Sequence, residues 1–198
     1  MESKFFRISI SLLILICWSN FVVGQQLEYN IKWFGKIGKL YVNKSMTNDS
    51  LVIETNSVVK IPFYRLNWIT TTTSMNGILQ TSHYRQLLND KRREFTEINL
   101  DPGNLWEMTG SDGLKESIDI SHQFYVSRLY FEEPVNQKYI FSERFGKSLE
   151  LVHHGSGHYK LLLPDDNYCE YFYENGICKL VRAKNGSRTI KMVLSDSS

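Results

Sequence analysis

Short runs of alternating apolar and polar residues, separated by turn-forming residues, recur through nearly the whole of this 198-residue chain. In the run from Leu51 to Ile61 the alternate residues Leu51, Ile53, Thr55, Ser57, Val59 and Ile61 fall on one face of a predicted strand, which Pro62 ends. The composition agrees with this pattern, because aromatic residues make up 13% of the chain and Ala183 is its one alanine. Aromatic side chains favour strands, whereas alanine is the best helix former. The sequence therefore predicts an all-β or nearly all-β protein.

The runs and turn signals predict about ten or eleven strands, joined mostly by short turns. Asn76-Gly77 has the composition of a two-residue hairpin turn, which would place Trp68 opposite Arg85. Residues 121–131 change to helical spacing, so one short helix is predicted there, capped by Ser121 and stopped by Pro134. The fold class that fits best is an antiparallel meander curled into an open or closed barrel, or half-barrel. A two-layer β-sandwich is the alternative.

The first 24 residues have the three-part pattern of a secretory signal peptide. Lys4 and Arg7 precede the apolar stretch Ile8–Trp18, and cleavage is predicted after Gly24. A membrane anchor is less favoured, because the apolar stretch is shorter than the roughly 20 residues that a spanning helix needs. Lipid attachment at Cys17 is also less favoured, because such cysteines usually follow a small residue. The pattern predicts an exported protein, periplasmic or secreted, with residues 25–198 as a single β-rich domain.

Charge and cysteine usage restrict the remaining chemistry. Without residues 1–24 the chain has 21 Lys and Arg and 20 Asp and Glu, so its net charge is near +1. This charge indicates neither nucleic acid nor an anionic membrane as a partner.

Cys169 and Cys178 are predicted to remain unpaired. A turn at Asn175-Gly176 places Cys178 opposite Tyr173, about 13 Å along the strand from Cys169, whereas a disulfide needs Cα atoms within about 7 Å.

The run His153-His154-Gly155-Ser156-Gly157-His158 is the densest group of reactive residue types. A zinc or copper site is less favoured than a glycine-rich hairpin tip, because adjacent histidines on a strand point to opposite faces. Its Gly-Ser-Gly core does not match the nucleophile elbow of α/β-hydrolases. The sequence therefore predicts no catalytic residue, metal ligand or cofactor. A hydrolase whose residues converge from separate strands stays open as an alternative.

Aromatic residues in predicted strands are the candidates for lining an apolar cavity, although an ordinary aromatic core explains them equally well. The candidate ligand-binding residues are Trp33, Trp68, Tyr84, Arg85 and Tyr171. The basic run Lys91-Arg92-Arg93 is more simply explained as a solvated hairpin end than as a site for a phosphate or a lipid headgroup.

Several stretches resemble an uncharacterised family of exported β-rich proteins from Bacteroidetes-type bacteria, described as a domain of unknown function. The stretches are Tyr29–Leu40 (YNIKWFGKIGKL), Leu129–Pro134 (LYFEEP), Phe141–Gly146 (FSERFG) and Tyr159–Gly176 (YKLLLPDDNYCEYFYENG). The chain departs from the family at Asp166, where the family usually has glycine. The resemblance implies export and a single β domain, and it implies no catalytic or binding residues.

Within the FSERFG stretch, alternation predicts that Glu143 or Arg144 is buried with a partner. The leading hypothesis for the whole chain is a non-enzymatic, exported envelope protein that binds an apolar small molecule or lipid, or an envelope protein partner. The alternatives are an envelope-acting hydrolase and a structural or interaction protein with a filled core.

Overall fold

The computed structural model describes residues 23–47, 49–121 and 123–196. These residues form 14 strands and one short 3-10 helix, Val126–Tyr130. The strands are β1 (Val23–Trp33), β2 (Gly35–Thr47), β3 (Ser50–Ile61), β4 (Tyr64–Met75), β5 (Ile78–Leu88), β6 (Lys91–Leu100), β7 (Trp106–Thr109), β8 (Lys115–Ile118), β9 (Tyr139–Ser142), β10 (Lys147–Gly155), β11 (His158–Leu162), β12 (Tyr168–Glu174), β13 (Ile177–Asn185) and β14 (Arg188–Leu194). The predicted fold class, mainly β with one short helix, is confirmed.

All 14 strands belong to one antiparallel sheet in the order β8-β7-β6-β5-β4-β3-β2-β1-β14-β13-β12-β11-β10-β9. The first and last strands pair with each other in the middle of the sheet, and β8 and β9 are its two edges. The sheet is curled, because β3 and β13 from its two halves contact the same 3-10 helix. The architecture is therefore an open barrel, one of the predicted forms, and the sandwich alternative does not apply.

The segment between the edge strands crosses the concave face of the sheet. Tyr125 forms an isolated bridge with Phe141 of β9, and its hydroxyl lies 2.9 Å from Ser74 Oγ of β4. The Tyr173 hydroxyl of β12 donates to the Leu129 carbonyl oxygen at 2.6 Å. The helix is shorter than predicted and begins after Tyr125, which makes no side-chain cap, instead of at Ser121. Its first amide groups are satisfied by a carboxylate from elsewhere in the chain, as described below.

The hairpin at Asn76-Gly77 is confirmed, because both residues have positive φ, 51° and 80°. The predicted register is wrong by one residue: Trp68 lies opposite Gln86, not Arg85. A β-bulge after Thr73 inserts one extra residue into β5 and shifts all the pairs beyond it. Arg85 therefore points to the other face of the sheet from Trp68.

The second predicted hairpin, which turns at Asn175-Gly176, has the predicted register at Cys178. Cys178 lies opposite Tyr173, as predicted, and Cys169 lies opposite Ala183. Both thiols are free. Burial raises the pKa of each thiol to about 12, so the thiolate that drives disulfide formation is scarce in the native protein.

The predicted signal peptide lies almost wholly outside the described residues. Its last two residues, Val23 and Gly24, pair with Met46 and Ser45 at the start of β1, and nine residues of β1 follow the predicted cleavage bond. Among the described residues no helix has the length and apolar character needed to span a bilayer.

Candidate functional site

A cavity of about 510 Å³ lies on the concave side of the sheet, between its two halves and the segment that crosses them. One wall comes from β1 to β5 and includes Ile31, Leu40 and Trp68. The opposite wall comes from β11 to β14 and includes Leu161, Val181 and Met192. Small-molecule pockets commonly measure about 300–1,000 Å³, so this space is large enough for one small organic ligand.

Three of the five candidate residues line this cavity: Trp68, Tyr84 and Tyr171. Trp33 does not, because it lies at the end of β1, where its ring stands 5.4 Å from that of Phe34. Arg85 does not either, because it is exposed and has the opposite parity on β5 from Tyr84. Strand alternation thus excludes Arg85 from the cavity wall, and Trp33 is excluded because it lies at the end of its strand.

The most deeply buried charge-bearing group on the cavity wall is Glu143, in the turn between β9 and β10, which is only 3% exposed. Its two carboxyl oxygens accept hydrogen bonds from the backbone amides of Val126 at 3.0 Å and Ser127 at 2.9 Å. The Thr72 hydroxyl of β4 donates weakly at 3.5 Å. The carboxyl group therefore replaces the missing N-cap of the 3-10 helix and joins three parts of the chain.

Arg144 follows Glu143 and forms a bidentate ion pair with Glu94 of β6. Its Nε lies 3.0 Å from Oε1 and its second guanidinium nitrogen 2.8 Å from Oε2. The Thr96 hydroxyl donates to the Arg144 carbonyl oxygen at 2.7 Å. The turn that ends β9 is thus fastened to β6 in the other half of the sheet. The prediction that Glu143 or Arg144 is buried with a partner is confirmed.

Burial raises the pKa of the Glu143 carboxyl above its ordinary value of 4.5, and the backbone amides that donate to it offset only part of that shift. In the pH interval between the unfolded and folded pKa values, the native protein holds a proton that the unfolded chain has lost. The contribution of Glu143 to the free energy of unfolding is therefore fully present at pH values below its pKa in the unfolded chain. That contribution is lost as the pH rises through its pKa in the folded protein.

We expect this decline to be absent from Glu143→Gln, which cannot titrate. The free energy of unfolding of the wild type minus that of the variant should fall as the pH rises from about 4.5, measured by urea unfolding at a series of pH values. All other titrating groups are common to both proteins and cancel in the difference. A difference that stays constant or grows with pH contradicts the raised pKa.

Two hydroxyl groups on the cavity wall have no hydrogen-bond partner among the described residues: Tyr84 Oη and Ser127 Oγ. Tyr84 is 5% exposed and Ser127 3%. Buried hydroxyls are normally paired, because an unpaired one forfeits the hydrogen bonds it made to water. Tyr84 stands two residues from Ser82, whose Oγ lies 3.2 Å from Thr72 Oγ1, and Thr72 in turn reaches Glu143. Ser127 also donates its backbone amide to Glu143, and the Arg144 guanidinium lies 5.6 Å from the centre of the Tyr84 ring, so both hydroxyl-bearing residues adjoin the turn of Glu143 and Arg144.

The residues from 29 to 195 match a family described as Domain of unknown function (DUF6134). The chain belongs to this family. The match covers nearly all of the sheet and the whole of the cavity wall. It supports the resemblance to an uncharacterised β-rich family, whereas export and a Bacteroidetes-type source stay predictions. No curated protein matches the chain.

One solved structure is similar, a crystal structure described as a beta-barrel-like protein of domain of unknown function DUF1849 from Brucella abortus. The sequence identity is 10%, the TM-score is 0.51, and the alignment covers 89% of this chain and 98% of the other. A likeness at this identity concerns the fold alone, and it agrees with the open barrel seen here.

The histidine run lies away from the cavity, at the hairpin between β10 and β11. His158 stacks on Phe172 with ring centroids 4.3 Å apart, and its Nε2 lies 3.2 Å from Glu170 Oε1. His153 stacks on Tyr159 at 4.5 Å. Within the described ranges, no three His, Cys, Asp or Glu side chains converge closely enough to hold a metal ion. The rings therefore pack against neighbouring aromatic residues across the hairpin.

Sequence reasoning found the aromatic wall but missed the polar groups around Glu143. Thr72, Ser127 and Glu143 belong to different segments, and only the crossing of the concave face brings them together. The one sequence feature that indicated this polar group was the alternation within the FSERFG stretch, which predicted a buried charge at Glu143 or Arg144.

Proposed function

We propose that this protein is an exported binding protein that holds an amphipathic or apolar small molecule or lipid in the cavity of its open barrel. The observation that carries the proposal is the cavity of about 510 Å³ in which buried hydroxyls of Tyr84 and Ser127 meet no described partner. An apolar ligand with a neutral polar group would bury its chain between Trp68 and Met192 and pair those hydroxyls with its head.

The head group is expected to be uncharged. Glu143 disfavours a second anion beside it, and the Arg144 guanidinium is already neutralised by its bidentate contact with Glu94. Beside Glu143, an anionic head would thus meet a carboxyl group whose neighbouring guanidinium is already paired. An alcohol, amide or ester oxygen fits the two hydroxyls without that penalty.

Native mass spectrometry of the full-length gene product, purified gently from its own cells, tests both parts of the proposal. We expect an added mass of a small amphiphile, and a polypeptide mass that begins at Gln25. A polypeptide that retains residues 1–24 would contradict export by a cleaved signal peptide. A bare polypeptide mass, together with no saturable binding of an apolar dye, would overturn the binding function.

A cavity-filling variant gives a solution test that works before the natural ligand is identified. Ala183 lines the cavity, so Ala183→Leu places three further carbon atoms in it. We expect affinity for the neutral dye N-phenyl-1-naphthylamine to fall by about tenfold or more, because overpacking costs about 1–3 kcal/mol. Thr189→Leu is the control, since Thr189 is exposed on β14 and should leave dye binding unchanged. Equal affinity for both variants would place the dye outside the cavity.

The hydrolase and the filled-core alternatives have no specific observation in their favour. Ser127 donates its backbone amide to Glu143, and none of the described residues that line the cavity is a histidine, the usual base beside a serine nucleophile.

A further inference from the structure

Two phenylalanines stand at the tips of neighbouring hairpins with their side chains in solvent. Phe34 connects β1 and β2 and is 101% exposed, and Phe63 connects β3 and β4 and is 93% exposed. Both have positive φ, 57° and 69°. The other non-glycine residues with positive φ in the described chain are all Asn, Asp or Ser, which tolerate this conformation. Among the described residues, bulky side chains occur at such positions only at these two tips.

Folding does not account for this choice. A phenylalanine in the left-handed region is strained by its Cβ, and asparagine or glycine would relieve that strain. The only ring contact of Phe34 among the described aromatic pairs is with Trp33, and that contact leaves Phe34 fully exposed. Residues that cost conformational energy and bury nothing point to a partner outside the chain.

The bases of the same hairpins place like charges opposite each other. Lys32 faces Lys36 below Phe34, and Lys60 faces Arg65 below Phe63. The first pair continues across the sheet, because Lys32 also faces Lys191 on β14, and Lys191 faces Arg182 on β13. Four cations therefore follow one another on adjacent strands spaced by about 4.8 Å. Like charges in directly opposed positions destabilise a sheet.

Arg182, at one end of the row, faces Glu170 on β12, and Glu170 makes its close contact with His158 at 3.2 Å. Few acidic side chains compensate the rest of the row. Arg65 approaches Asp90 at 3.7 Å, and both groups are exposed. Glu28 makes its ion pair with Lys39, at 2.7 Å, and this contact lowers the pKa of Glu28 more than the charge of Lys36 does. Lys32, Lys36 and Lys191 form no ion pair with another described residue. The local excess of positive charge is hidden in the net charge of the whole chain, which is only +2.

The tips lie at the end of the barrel where the cavity reaches the surface. β1, β3, β11 and β13 all run toward that end, because each is separated from the next of them by an antiparallel strand. The turn residues Pro164, Asp165 and Asn185, which follow or end β11 and β13, belong to the cavity lining. The aromatic tips and the mouth of the cavity therefore face the same way.

We propose that this end of the barrel docks on an anionic lipid bilayer, with Phe34 and Phe63 inserted among the acyl chains and the basic row against the headgroups. Exposed aromatic tips beside uncompensated cations match the two layers of such a surface. A nucleic acid or an acidic protein would satisfy the cations but leave the phenylalanines without an apolar partner. This inference does not rest on the proposed ligand binding, although docking would place the cavity mouth at the membrane.

Flotation of the protein purified from its own cells, mixed with vesicles, tests the docking. We expect binding to vesicles that contain phosphatidylglycerol, weak binding to phosphatidylcholine alone, and a decrease as salt is added. The double variant Phe34→Asn/Phe63→Asn should bind at least about tenfold more weakly, because two apolar insertions are lost. Its melting temperature should equal or exceed that of the wild type, since asparagine relieves the positive-φ strain. Met46→Asn/Ile78→Asn, at the opposite end of the sheet, is the matched control and should bind as the wild type does.

Several outcomes would overturn the proposal. One is equal binding to both kinds of vesicle, and another is a marked loss of melting temperature in the phenylalanine variant, which would mean that the tips serve the fold. Binding to soluble polyglutamate or DNA that the phenylalanine variant retains in full would indicate a polyanion as the partner. Dye binding by Phe34→Asn/Phe63→Asn in solution should stay at the wild-type level, so a failure of docking is distinguishable from a failure of the cavity to bind ligand.

Discussion

Replacing Glu143 with leucine is expected to lower the free energy of unfolding by about 3 kcal/mol, measured by urea denaturation near pH 5. Leucine fills similar space but accepts no hydrogen bonds, so the backbone amides of Val126 and Ser127 lose their acceptor. Each buried amide without a partner costs about 1–3 kcal/mol. The raised pKa of Glu143 shows that burying the carboxylate is itself unfavourable, and removing it returns part of that loss. The two unsatisfied amides still outweigh this gain.

Two further variants separate the role of the acceptor from that of the side-chain volume. Glu143→Gln keeps one acceptor oxygen and should lose about 1 kcal/mol. Glu54→Leu makes the same change at an exposed position on β3 and should stay within about 0.5 kcal/mol of the wild type. If Glu143→Leu were as stable as the wild type, the carboxyl group would not be holding the 3-10 helix against the sheet, and the cavity wall would need another support.

The fold class was accessible from sequence because alternation and turn composition are local properties. Each predicted hairpin depends on a few neighbouring residues, as at Asn76-Gly77 and Asn175-Gly176, where both turns form. The predicted count of ten or eleven strands was too low, because a strand such as β7 has only four residues and shows too little alternation to be recognised. The closing pair of β1 with β14 joins residues that are 159 to 165 positions apart, and nothing local specifies it.

The candidate site was only partly accessible for the same reason. Trp68, Tyr84 and Tyr171, chosen as aromatic residues in predicted strands, line the cavity, but the strand prediction did not show where Trp33 would fall relative to the curl of the sheet. One inserted residue in β5 was enough to misplace Arg85 relative to Trp68. The row of cations from Lys36 to Arg182 could not be predicted from the sequence. Its members become neighbours only through the register of strands from both ends of the chain.

Replacing Gly38 with alanine is expected to be the second most damaging change, with a loss of about 2–3 kcal/mol in the free energy of unfolding. Gly38 lies in β2 beside the bulge, opposite Ile31 on β1 and Val59 on β3. A Cβ atom at this position would overlap the Val58 carbonyl oxygen and stand 2.9 Å from Val59 Cα. Both are backbone atoms in the middle of a sheet, so they cannot move aside without disturbing the ladder on either side.

Gly35→Ala is the control, because it makes the same substitution in the same strand where no atom lies within 4 Å of the added Cβ. Neither glycine has positive φ, so the comparison isolates steric overlap from backbone conformation. We expect Gly35→Ala to gain a few tenths of a kcal/mol, since alanine restricts the unfolded chain more than glycine does. If the two variants were equally stable, β2 and β3 would have to separate freely at Gly38. That freedom would conflict with a sheet whose curl around the cavity depends on close contact at its central strands.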